Sequence, residues 1–190
     1  MAAVRRVVVG VHGSLGSLQA LRLAADEARA RQAALVPVIA WVPPGGDLAE
    51  RSHPSSYLRE IWREAARQRL ADAFEAGLGG LPDDLMVRAR IERGEPGPVL
   101  VDVAEGPEDL LVIGTGRRSP IVRALRRSVG RYCLAHARCP VLAVPPSALM
   151  SELGDGRMPR LGSWSLRGRR VLLHEIDREI GQGIDHGIDH

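Results

Sequence analysis

Two stretches of the 190-residue chain gather residue types suited to holding an anion. In the first, Val11-His12-Gly13-Ser14, with Gly16 and Ser17 behind it, follows the apolar run Val7-Val8-Val9-Gly10. In the second, Gly114-Thr115-Gly116-Arg117-Arg118 follows Leu110–Ile113 and leads through Arg123 and Arg127 to Ser128. Glycine lets backbone N–H groups come close to a bound oxyanion, helix N-termini and hydroxyls add donors, and arginine adds charge-assisted pairs. The chemistry these parts support is the binding of a phosphate or another polyanion. Acyl transfer and P-loop hydrolysis lack their parts, since neither a G-x-S-x-G elbow nor a Walker A run occurs. His12-Gly13-Ser14 would suit nucleotidyl transfer only beside a second histidine, and none lies nearby in sequence.

The elements around these stretches follow from hydrophobic periodicity. Val7–Val11, Leu35–Val42, Leu110–Ile113 and Cys139–Val144 are continuous apolar runs, the pattern of strands buried on both faces. Leu85, Val87, Ala89 and Ile91 alternate with Met86, Arg88, Arg90 and Glu92, which predicts a third strand with one wet face at a sheet edge. A helix is expected from Ser17 as N-cap, with Leu18, Leu21, Ala25 and Ala28 inward. A second spans Tyr57–Ala76 with Leu58, Ile61, Trp62, Ala65, Leu70, Ala73 and Phe74 inward and Gly77 as its cap. A short helix covers Val99–Glu105, and a fourth runs from Pro120 to Ala137 with Val122, Leu125, Val129, Cys133 and His136 inward. Trp41 reads as packing at the end of the second strand. Five strands alternating with four helices predict an α/β domain over residues 1–146: a single doubly wound parallel sheet with helices on both faces.

Past Pro146 the composition shifts to Gly, Ser, Arg and Met, so residues 147–190 are read as a polar C-terminal tail, partly disordered. Within it, Val171–Ile180 has the spacing of a short amphipathic helix through Leu172, Leu173, Ile176 and Ile180, and the chain ends in the tandem GIDHGIDH. Its His186 and His190 offer at most adventitious metal binding, so no metal site is expected.

Charge adds a further constraint. The net charge is +3, and all 26 cationic side chains are arginine, with no lysine anywhere, a skew that reads as codon bias of the source genome. The basicity is nonetheless local: Leu110–Met150 holds seven arginines and no carboxylate, whereas the first 109 residues hold 13 arginines and 16 acids. Cys133 and Cys139 make neither a disulfide framework nor a zinc motif, and packing is their expected role. Val7–Val11 is far shorter than the roughly 20 apolar residues a bilayer demands, and no signal peptide is apparent, so a soluble cytoplasmic protein is expected.

Three blocks, VVVGVHGSLGSLQAL, DLLVIGTGRR and RYCLAHARCPVLAVP, in this order and spacing, resemble the universal stress protein family over about Val4 to Val144. The resemblance implies the strand order 3-2-1-4-5 and a homodimer through the last strand, here Val141, Leu142, Ala143 and Val144. It also implies a non-enzymatic protein of the stress response acting through a regulatory protein partner, with no obligatory cofactor. Members of the family that bind ATP carry Gly, two residues, Gly, nine residues and then Gly-Ser or Gly-Thr after the fourth strand. Placed on Cys139-Pro140, that pattern sets Gly114 on the first glycine and Ser128 on the hydroxyl, but Arg117 and Arg127 on the other two glycines, with Gly116 one residue early. His12 stands where those members carry aspartate, and an imidazole cannot replace a carboxylate acceptor.

The candidate site is therefore Val11, His12, Gly13, Ser14, Ala40 at the border of an adenine pocket, Gly114, Gly116, Arg117, Arg127 and Ser128. Adenine-nucleotide binding is expected to be weak or altered. Alternatively, Arg117 and Arg127 clamp the phosphates of an ATP-binding switch or slow ATPase. A plainer reading takes Arg123, Arg127 and Arg131, at i, i+4 and i+8, as one solvated helix face. A nucleic-acid surface is disfavoured because aromatic residues for base stacking are scarce.

Overall fold

The computed structural model describes residues 3–43, 46, 54–115 and 129–145. Strands β1 (Arg6–Gly10), β2 (Ala34–Trp41), β3 (Arg90–Arg93), β4 (Asp109–Gly114) and β5 (Val141–Val144) form one parallel sheet in the order β3-β2-β1-β4-β5. The helices are α1 (Leu15–Arg31), α2 (Ser56–Leu78), α3 (Pro96–Val103) and α4 (Val129–His136).

Alternate residues of each central strand serve opposite faces. Val7, Val9, Leu35, Ile39, Leu110 and Val112 join the core under α1 and α2, while Val8, Val36, Val38, Leu111 and Ile113 join the one under α3 and α4. This is why the apolar runs are continuous in sequence: each fully buried aliphatic side chain contributes about 1.5–3 kcal/mol whichever face it serves. At the β3 edge the pattern alternates as expected, with Val87 and Ala89 buried and Met86, Arg88 and Arg90 exposed. The strand itself is shorter than the alternation, beginning at Arg90, and Val87 makes only an isolated bridge to Leu35.

Helix boundaries depart from the sequence reading in three places, each with a local cause. Helix α1 starts at Leu15 because Ser14, not Ser17, is the N-cap; its Oγ accepts from the Ser17 N–H. Helix α2 runs through Gly77 to Leu78 and is closed by Gly79 at φ 77°. Gly77 serves packing instead: a Cβ there would stand 3.2 Å from Leu21 Cδ2, where α1 crosses α2. The C-terminal carbonyls of α2 are satisfied from α1, since Arg22 donates to Gly77 O at 2.7 Å and Ala76 O at 2.9 Å. Helix α3 begins earlier than expected, at Pro96, because proline suits a first turn whose N–H groups have no helical acceptor. The described part of the fourth helix is Val129–His136; Val122, Arg123 and Leu125 lie outside the described residues.

Four side-chain placements are corrected. Leu58, Ile61 and Ala65, expected inward, are exposed in the first turns of α2, beside exposed Tyr57. Trp62 is half-buried and lies 6.4 Å from Trp41, which is buried as expected. His136 lies outside the core, stacked on Tyr132 at 4.1 Å with Nδ1 2.9 Å from the Tyr132 carbonyl.

Both cysteines are free thiols, Cys133 buried and Cys139 half-buried. Burial pushes the Cys133 thiol up to about 11 and raises Cys139 as well. A thiol titrating near 9 when unfolded and near 11 when folded leaves the native state holding the extra proton between those values. Stability should therefore fall as pH rises from about 9 to 11, by up to about 1.4 kcal/mol per pH unit for Cys133. Urea unfolding at pH 8 and 10 checks this, and iodoacetamide at pH 8 should leave Cys133 unmodified until denaturant is added.

Candidate functional site

Parallel strands place every strand's C-terminal end on one rim of the sheet. There β1 and β4 are neighbours, paired from Arg6↔Asp109 to Val9↔Val112. After β1 the chain crosses to the face of α1; α4, which follows β4, packs on the other face. The gap between two such departures is where doubly wound sheets hold ligands.

The loop after β1 is braced from within. Val11 is buried and its N–H donates to Val38 O at 2.8 Å, tying the loop to β2. Gly13 has φ 81°, a left-handed turn that glycine adopts without strain, which folds Ser14 back to cap α1. The Ser17 N–H donates to Ser14 Oγ at 3.3 Å, the buried Ser17 hydroxyl donates to Ser14 O at 2.9 Å, and the His12 N–H reaches Ser17 Oγ at 3.4 Å. The Ser14 hydroxyl and His12 Nε2 are hydrogen-bonded at 3.2 Å, with the nitrogen accepting when the imidazole is neutral. The first turn of α1 carries no acidic side chain, so its dipole faces the rim uncompensated.

The loop after β4 meets this one backbone to backbone. A Cβ on Gly114 would stand 2.5 Å from Gly16 O, 2.8 Å from Gly16 C and 3.2 Å from Ser17 N. Thr115, which sequence reasoning did not single out, turns away from the crevice: its N–H and Oγ1 both donate to Val144 O, at 2.8 and 3.1 Å, fastening the exit of β4 to β5. No motif marks Thr115, because its role depends on a strand 29 residues later.

The structure thus brings Val11, His12, Gly13, Ser14 and Gly114 to one rim, with Ala40 half-buried beside them at the end of β2. Gly116, Arg117, Arg127 and Ser128 lie outside the described residues. At the β5 edge, Val141 and Leu142 are half-buried, Ala143 is exposed and Val144 is buried. Among the described residues, no three His, Cys, Asp or Glu side chains cluster as a metal site, and no helix is long and apolar enough to cross a membrane.

A cavity of about 1450 Å³ lies at the opposite rim, lined by charged groups that include Arg5, Arg6, Arg29, Asp84, Glu108 and Asp109. Three pairs of its charges are engaged with one another: Arg6 with Asp109 at 2.7 Å, Arg29 with Asp84 at 2.6 Å and Arg5 with Glu108 at 3.5 Å. The hydrogen bond to Asp109 raises the Arg6 guanidinium above its ordinary value. The hydrogen bond between Arg29 and Asp84 raises the former and lowers the latter. The Arg6–Asp109 pair fastens the starts of β1 and β4 together at this end.

A family model described as the universal stress protein family matches residues 3–145. Universal stress proteins of Mycobacterium tuberculosis and Mycobacterium bovis are 29% identical to this chain over 147 residues, covering 73% of it and 47% of their own length. The chain thus spans about half the length of these curated relatives. A solved structure from the universal stress protein family of Burkholderia pseudomallei is 27% identical, covers 77% of this chain and 99% of its own, and superposes with a TM-score of 0.52. The universal stress protein UspA from Lactobacillus plantarum, at 24% identity, 76% and 99% coverage and the same TM-score of 0.52, shares the fold.

Proposed function

The chain belongs to the universal stress protein family, and from that premise we propose a non-enzymatic, cytoplasmic stress-response protein in which the crevice between β1 and β4 binds adenine nucleotide weakly or in altered form. In this reading it works as a homodimer joined through Val141–Val144 and signals by engaging a regulatory protein.

One observation carries the nucleotide part. The glycine retained from the phosphate motif, Gly114, is the one that packing requires, because Gly16 leaves no space for a side chain there. Its retention is explained without any ligand. The two further glycines, which serve close approach to phosphate, are Arg117 and Arg127, and the acid expected near the nucleoside is His12. On this reading the chain holds the glycine its fold needs and lacks the two that a triphosphate needs.

Calorimetric titration of ATP against the wild-type chain and Arg127→Gly tests this. Removing a guanidinium from the phosphate space should tighten ATP binding by about tenfold, on the order of 1.4 kcal/mol. If Arg127→Gly instead weakens binding, the arginines grip the phosphates and the ATP-dependent switch or slow ATPase becomes the better account. Stoichiometric ATP retained through purification would also overturn weak binding.

A further inference from the structure

Helix α2 is 23 residues long, or about 34 Å, and all its buried residues (Ala66, Leu70, Ala71, Ala73, Phe74 and Gly77) lie from its eleventh residue onward. The first ten residues, 56–65, contain none, yet they are not a polar overhang. Of six exposed large apolar residues described, three lie here, Tyr57 at 74% exposure, Leu58 at 41% and Ile61 at 43%, and a fourth, Val42 at 46%, directly follows Trp41. With exposed Ala65, the helix residues fall at i, i+1, i+4 and i+8, which at 3.6 residues per turn is one stripe roughly 100° wide. A stripe of that width normally faces a partner. Trp62 packs on Trp41 along its inner margin, so the overhang is fixed to the end of β2.

The chain continues for 45 residues beyond Pro145. Within that length, Leu172, Leu173, Ile176 and Ile180 repeat the spacing i, i+1, i+4, i+8, and His174, Glu175, Asp177, Arg178 and Glu179 occupy the positions between. At helical spacing these four positions would share an arc as wide as the stripe on α2. We propose that the C-terminal segment Val171–Ile180 docks on the Tyr57–Leu58–Ile61–Ala65 stripe of its own chain.

Geometry favours this occupant over a second copy. The strands are parallel, so the chain leaves β5 on the rim where β2 ends and α2 begins. Three strand spacings separate β5 from β2, about 14 Å. The 25 residues between Pro145 and Val171 can reach at most about 80 Å, several times that distance. A linker long enough to bridge the gap makes docking intramolecular, at effective concentrations up to the millimolar range, well above a second copy at micromolar concentration.

The test is hydrogen exchange with mass spectrometry on the full chain and on the double variant Leu172→Glu, Ile176→Glu, whose changes lie outside the sheet and its helices. Exchange across residues 57–65 should rise about tenfold in the variant while β1 and β4 are unaffected; equal exchange in both proteins overturns the proposal. A second arm pairs Ile61→Cys with Ile176→Cys in a mixture of isotopically light and heavy chains. A disulfide within single chains supports the proposal, and mixed light-heavy disulfides would assign the stripe to a second copy. Neither arm uses nucleotide, so failure here and failure of the ATP titration are separate results.

Discussion

Replacing Gly114 with valine is expected to lower stability by about 3 kcal/mol, a fall in Tm of roughly 6–12 °C for a chain of this size, and to abolish whatever ligand binding the crevice has. The reason is the identity of the neighbours. The nearest atoms to a new Cβ, at 2.5, 2.8 and 3.2 Å, all belong to the backbone of Gly16 and Ser17, which cannot swing aside as a side-chain tip does. Relief requires moving the start of α1, and that start is held by the Ser14 cap and by Val11 on β2. Gly16→Ala is the internal control. A Cβ there meets nothing nearer than Ser14 Oγ at 4.0 Å, so this change should alter stability by less than about 0.5 kcal/mol. Thermal melts followed by circular dichroism separate the two; equal losses would mean that the loops do not touch as described.

This contact also marks where sequence reasoning reached its limit. The parallel sheet was legible because continuous apolar runs such as Val7–Val9 and Leu110–Ile113 must be buried on both faces, and the observed order agrees with the family resemblance. The meeting of the two glycine loops followed once β1 and β4 were neighbours. What did not follow was which glycine serves what. Gly77 looks like a helix terminator in sequence and is a crossing point, because the approach of Leu21 is a tertiary fact. Ser14 and Ser17 both suit an N-cap, and only the left-handed turn at Gly13 decides for Ser14.

Burial was misread where helical periodicity continued past the sheet. Leu58, Ile61 and Ala65 keep the spacing of a core face, but β2 ends at Trp41 and the buried residues of α2 begin only at Ala66. Periodicity reports that a face is apolar, not what covers it. His136 was misread for a related reason: it lies three residues after buried Cys133, but α4 ends there and the imidazole turns onto Tyr132.

The second large effect is expected at the far rim, where Arg6 and Asp109 join the starts of β1 and β4. Arg6 donates from Nε and Nη2 to the two carboxylate oxygens, each at 2.7 Å, and the Gly106 N–H adds a third bond at 3.1 Å. The two partners differ in burial, with the Asp109 side chain 4% exposed and that of Arg6 35% exposed. Truncating one partner of a buried pair costs mainly through the charge left behind. Asp109→Asn leaves a guanidinium that can turn to water, whereas Arg6→Met leaves a buried carboxylate holding a single backbone bond. Arg6→Met should therefore cost about 3 kcal/mol and Asp109→Asn about 1–2 kcal/mol, read as urea midpoints at pH 7. The double replacement Arg6→Met, Asp109→Leu removes both charges and should recover most of the loss. Because the six residues of β4 hold this pair about 17 Å from the crevice, all three variants should titrate with ATP as the parent does. A larger loss for Asp109→Asn than for Arg6→Met would show that the cation, not the carboxylate, is the group the fold must keep paired.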